Sequence, residues 1–141
     1  MNRGTIKIRE TEQHKFVVEV QTADGNLWLT KHEIADLFNV TISSISNCLY
    51  SIFKSGLLQK KDVTQIHLFD RKGKQCQTTL YNLEAIIFVS YRIGSGEARV
   101  FRQWVINALC EYSGGKKNVS AGEILITYNL LRNQLSSIAL N

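Results

Sequence analysis

The chain has 141 residues, 44% of them hydrophobic, and a formal net charge of +5. That length suits one domain, or one domain with an appendage, and that apolar content builds a core and excludes a disordered chain. The excess charge is compatible with a polyanionic partner.

The longest apolar runs, such as Leu83–Tyr91, are broken by polar residues and fall far short of a bilayer span. The charged start, Met1–Glu10, lacks the apolar stretch of a signal peptide. A cytoplasmic protein with no membrane partner is therefore expected. Cys48, Cys76 and Cys110 are odd in number and scattered, as are His14, His32 and His67. Neither a disulfide scaffold nor a zinc site fits that spacing, and no metal or cofactor is expected.

In chain order, Ile6 and Ile8 alternate with Lys7 and Arg9, and Phe16, Val18 and Val20 alternate with their neighbours. This period predicts a hairpin. Ala23-Asp24-Gly25-Asn26 is a turn, and Leu27-Trp28-Leu29 reads as a short buried strand. Thr30 with Glu33 is a capping-box pair, so a helix begins there with Ile34, Ala35, Leu37 and Phe38 facing inward. Asn39 ends it, because asparagine tolerates the left-handed conformation of a tight turn. A second helix starts near Thr41, buries Ile45, Cys48, Leu49, Ile52 and Phe53, and stops at Gly56. Thr64–Asp70 and Cys76–Tyr81 read as a hairpin with the basic tip Arg71-Lys72-Gly73-Lys74. Asn82 caps a helix over Leu83–Ile93, and another runs from about Glu97 to Tyr112 with the stripe Phe101, Trp104, Val105, Ala108, Leu109 and Tyr112.

Leu29–Phe53 carries the functional signal. A helix, a three-residue turn and a second helix, with small Ala35 at the crossing and Ile45 and Cys48 in the angle, has helix-turn-helix spacing. The second helix then presents Thr41, Ser43, Ser44, Ser46, Asn47 and Tyr50 outward, as a recognition helix does. Asn47 suits an adenine edge, and Thr41 or Ile42 a thymine methyl. The hairpin follows where a winged helix keeps its wing, and Arg71, Lys72 and Lys74 suit phosphates. Further charge would come from Lys31, Lys54, Lys60 and Lys61. A separate group, Arg92, Arg99 and Arg102, is a candidate anion or interaction site.

Trp28-Leu29-Thr30, Ala35-Asp36-Leu37-Phe38, Val40-Thr41, Ile45-Ser46 and Ile52-Phe53 together resemble the start of the virulence-associated RhuM family. Tyr81-Asn82-Leu83-Glu84-Ala85-Ile86-Ile87, Tyr91-Arg92-Ile93 and Phe101-Arg102-Gln103-Trp104 resemble its later signature. More distantly, the last part is similar to Bro-N-type phage antirepressor domains. The resemblance implies a bacterial or mobile-element protein with a DNA-binding-like module, usually part of a longer chain.

The expected architecture is α+β: a winged helix-turn-helix with an N-terminal β-hairpin and packed C-terminal helices over residues 1–113. A linker over 114–119 and a C-terminal helix over 120–141 follow. In that last segment Ala121, Ile124, Tyr128, Leu131, Leu135 and Ile138 recur at spacings of three and four, so a homodimer is expected. The expected function is a DNA-binding regulator or accessory protein of a mobile element or virulence island, with double-stranded DNA as partner. The alternative is an antirepressor-type module whose helix-turn-helix meets a protein. No nucleophile–base pair, phosphate loop or paired carboxylate points to an enzyme.

Overall fold

The computed structural model describes residues 2–115, with side chains described through Glu111. The expected C-terminal helix and its dimer seam lie outside the described residues. Those residues form a mixed α+β fold of five helices and two antiparallel hairpins.

Strands β1 (Thr5–Glu10) and β2 (Phe16–Gln21) form the first hairpin, with Ile6 opposite Val20 and Ile8 opposite Val18. Those four side chains are half-buried, and the hairpin packs on the first and last described helices. Its entry is tight. Gly4 has φ +76°, and a Cβ there would stand 2.7 Å from the Gln21 carbonyl, so only glycine fits.

Helix α1 (Lys31–Phe38) starts as the sequence predicts. The Thr30 hydroxyl accepts from the Glu33 backbone N–H at 3.2 Å, and the Glu33 carboxylate accepts from the Thr30 N–H at 2.8 Å. Arg3 then grips the same carboxylate with two hydrogen bonds, at 2.7 and 3.2 Å, tying the N-terminus to the helix. Asn39 closes α1 in the left-handed conformation (φ 55°, ψ 50°). Helix α2 (Ile42–Ser55) is capped by the Thr41 hydroxyl, which accepts from the Ser44 N–H, and is ended by Gly56 at φ 82°.

Two local differences follow from longer-range contacts. Leu27 and Leu29 are buried as expected, with Trp28 half-buried between them, but the run forms no strand of its own. It is an extended segment whose Leu29 makes one antiparallel bridge to Tyr81. The short helix α3 (Lys60–Val63), which the apolar periodicity does not predict, turns the chain into the second hairpin and buries Val63. That hairpin pairs β3 (Thr64–Arg71) with β4 (Lys74–Tyr81).

Asn82 caps helix α4 (Leu83–Ser90) by accepting from the Ala85 N–H at 3.1 Å. Helix α5 spans Gly96–Gly115 among the described residues, so Gly114 and Gly115, where a linker was expected to open, are helical. An established helix adds one hydrogen bond for each residue it extends, which offsets glycine's cost of about 1 kcal/mol.

The core gathers around Phe38 and Phe101, both fully buried, with their rings edge-to-face at 5.4 Å. Ile34, Ile45, Leu49, Ile52, Ile86 and Val89 surround them, so α1, α2, α4 and α5 share one interior. On the α5 stripe Phe101 and Val105 are buried and Leu109 is exposed. Among the described residues no helix is long and apolar enough to cross a membrane.

The Thr30–Glu33–Arg3 cluster makes stability depend on acid pH. Burial pushes the Glu33 carboxyl upward, but hydrogen bonds from Arg3 and Thr30, with the Arg3 charge, outweigh it and hold the group below its ordinary 4.5. A depressed folded pKa means the contribution is present above the unfolded value and is lost as pH falls through the folded one. Chemical denaturation of wild type and Glu33→Gln should converge as pH drops below 4.5. Thr30→Ala should cost about 1 kcal/mol at neutral pH.

Candidate nucleic-acid interface

The angle between α1 and α2 is filled as the spacing predicts. Ala35, Ile45 and Cys48 are buried there. Cys48 lies on the α4 side, its thiol 3.9 Å from the Val89 carbonyl. Burial pushes that thiol up to about 11, although the Arg92 charge pulls against it.

With that side of α2 consumed by packing, its outer stripe is Ser43, Asn47, Tyr50 and Lys54, all exposed. Lys54 lies 5.7 Å over the Tyr50 ring, so the one cation on the stripe sits against an aromatic face near the helix end. Thr41 and Ser44 are exposed too, but their hydroxyls are 3.0 Å apart and engaged in the cap. Ser46 is half-buried.

Two concavities flank the stripe. On one side Ile42, at the start of α2, faces β4 across a groove of about 320 Å³ that also includes Lys31, His32, Gln77 and Thr79. Three contacts hold the hairpin there. Leu29 and Tyr81 exchange backbone hydrogen bonds at 3.0 and 2.8 Å, the Asn82 N–H donates to the Val63 carbonyl at 2.9 Å, and Phe53 of α2 stacks on Tyr81 with ring centroids 6.5 Å apart. Burial raises the Tyr81 phenol above its ordinary value, so it stays neutral in the physiological range.

On the other side, Ser44, Asn47 and Ser51 face Arg92 and Gly94 across a cavity of about 360 Å³. The three arginines of the late helices are thus divided. Arg102 donates to the carbonyls of Ser90 and Ile93, which end α4 and its turn. Arg99 is exposed on α5. Arg92 alone of the three lines this α2 cavity. Sequence spacing did not reveal that placement, because Arg92 stands 45 positions from Asn47 and only the packing of α4 on α2 unites them.

At the hairpin tip Arg71, Lys72 and Lys74 are all exposed. Lys72 (φ 52°) and Gly73 (φ 78°) both take positive φ, as a two-residue hairpin turn of the I′ class requires. Arg71 pairs directly with Lys74, so two like charges face each other across the strands. Lys60 and Lys61 are exposed on α3. Ile66 and Leu68 are 56% and 57% exposed, two uncovered apolar side chains opposite Thr79 and Gln77. Among the described residues no group of three or more His, Cys, Asp or Glu side chains is placed to hold a metal.

No family model matches the chain, and no curated protein or solved structure is similar to it.

The burial of Cys48 gives a direct check on the α2–α4 packing. A thiol-alkylating reagent at pH about 8 reacts through the thiolate. It should label the half-buried Cys76 in the native chain while Cys48 stays unmodified until the chain is unfolded. Labelling of Cys48 at the rate of Cys76 would contradict the packing.

Proposed function

We propose that this chain is a winged helix-turn-helix module that binds double-stranded DNA, with α2 as the helix entering the major groove and β3–β4 as the wing. The observation that carries the reading is the antiparallel Leu29–Tyr81 bridge. It joins the extended segment before α1 to β4, so the chain runs extended segment, helix, turn, helix, short helix, hairpin, and β4 faces the start of α2 across the polar groove. That order and that placement are what a wing beside a recognition helix needs.

The charge distribution supports the same reading. Arg71 and Lys74 face each other with no acid in the turn, and a duplex backbone would relieve their repulsion. The outer stripe of α2 carries Ser43 and Asn47 rather than acids, and Asn47 is suited to the paired donor and acceptor of an adenine edge. The RhuM resemblance adds a setting: a regulator or accessory protein of a bacterial mobile element or virulence island. A homodimer through residues 120–141 belongs to the same reading and suits two-fold DNA sites.

A second reading has its own support. Ile42, Tyr50, Ile66 and Leu68 are exposed on α2 and the hairpin, which suits an antirepressor-type module that meets a protein. That reading expects partner binding that Leu68→Ser abolishes and the lysine reversals leave intact.

Gel-shift titrations of the full chain against several duplexes separate the two. The DNA reading expects affinity to fall steeply with salt. The double change Lys72→Glu, Lys74→Glu should weaken all duplexes alike and reduce the salt slope by about 0.9 for each phosphate no longer neutralised. Asn47→Ala should cost about 1–3 kcal/mol at a preferred site and little elsewhere. Absence of any salt-sensitive binding at micromolar protein would defeat the DNA reading.

A further inference from the structure

The cavity between α2 and the α4–α5 turn holds a charge without a partner. Arg92 lines it, and one guanidinium nitrogen, Nη1, is buried with no hydrogen-bond acceptor. That donor is enclosed and under-satisfied, so an anion in the cavity would meet the rest of the half-buried Arg92 guanidinium rather than Nη1 itself. The walls supply no counter-ion, since no Asp or Glu lines the cavity. The ionisable neighbour, the Cys48 thiol, is kept neutral by burial and cannot serve as one.

The remaining wall sets hydrogen-bonding groups at helical spacing beside the apolar Val40 and Ile93. Ser44, Asn47 and Ser51 lie three, four and seven positions apart and present two hydroxyls and an amide to the same space as Arg92. A guanidinium with neutral donors around it, and no acid, selects an oxyanion, and the planar fork fits two phosphate oxygens. We propose that this cavity is a phosphate-binding site in which Arg92 supplies the charge and Ser44 and Ser51 supply hydrogen bonds, leaving the Asn47 amide at its rim for a base edge. Its phosphate would be one in the backbone of DNA docked on α2; the source, though not the site, rests on the DNA-binding reading. The contact would fix the register of α2 in the groove from the side opposite the wing, and it would carry no sequence information of its own.

The rim offers a test that leaves the packing alone. A Cβ on Gly94 meets nothing within 4 Å, so Gly94→Glu places a carboxylate at the mouth without a clash. Arg92→Gln removes the charge directly, and circular dichroism with thermal melting checks that both variants fold. Both should lower affinity for every duplex alike, roughly ten- to a hundredfold. The salt slope should fall by about 0.9 in Arg92→Gln. In a parallel arm the Arg92 Nε–H resonance of the wild-type chain is followed as inorganic phosphate is added, with chloride at equal ionic strength as control.

A uniform loss in both variants, with the phosphate shift, supports the site. If the wild type binds no duplex at all, the DNA reading fails on its own. An Arg92 shift with phosphate and not with chloride then still supports the cavity as a site for a free phosphate. Unchanged affinity and salt slope in Arg92→Gln, with no phosphate shift, overturn the proposal even if the chain binds DNA.

Discussion

The site depends on the backbone exchange between Leu29 and Tyr81. It is a single bridge of two hydrogen bonds, yet both residues are buried, so the bonds form where water cannot compete and where leaving either group unpaired would be costly. Leu29 leads directly into the Thr30 cap of α1, and Tyr81 into the Asn82 cap of α4. One bridge therefore fixes the start of two helices. It also fixes the angle of the β3–β4 hairpin, because Phe53 of α2 stacks on the Tyr81 ring. Without that tie the hairpin would be an isolated two-stranded ribbon, and such ribbons are marginal alone.

The interior explains why α2 shows a weakly charged outer face. Ile45, Leu49 and Ile52 point to the shared core, Cys48 to α4 and Phe53 to Tyr81. What remains outside is a narrow stripe of small and polar side chains with Tyr50 and Lys54 at one end. Charge reaches the neighbourhood of that stripe from other elements. Lys31 comes from the start of α1 on the hairpin side, and Arg92 comes from the turn after α4 on the other.

Local features were legible in the sequence, and remote ones were not. Thr30 with Glu33, Thr41, Asn39, Gly56 and Asn82 all cap helices as their residue types imply, since a cap is decided by atoms within four positions. The tip Arg71–Lys74 turns where Gly73 allows it. The helix-turn-helix spacing put Ala35, Ile45 and Cys48 in the interior, but the pattern did not say that Cys48 faces α4. Likewise the Leu27–Leu29 run gave burial without pairing, because a bridge to Tyr81 across more than fifty residues leaves no periodic trace. The arginines of the late helices look alike in sequence. Carbonyls at the end of α4 claim Arg102, the cavity beside α2 receives Arg92, and only the packed chain distinguishes them.

On the DNA-binding reading, this arrangement separates two tasks. Phosphate contacts position a protein on a duplex, and base-edge contacts read it. A helix crowded with lysine and arginine does both at once, and its affinity for any sequence is high. Here the stripe that would face the bases holds Ser43 and Asn47, with Tyr50 and Lys54 at its far end, while the other cations stand beside it on α1, on the α4–α5 turn and at the hairpin tip. Charge held at the edges acts on the backbone alike for every sequence. Discrimination is then left to a few short polar side chains, whose contacts form only when the edge groups have set the helix at the right depth. The rigidity of the Leu29–Tyr81 tie matters for that reason: short side chains on α2 reach a base edge only if the elements carrying the charge are held in place relative to it.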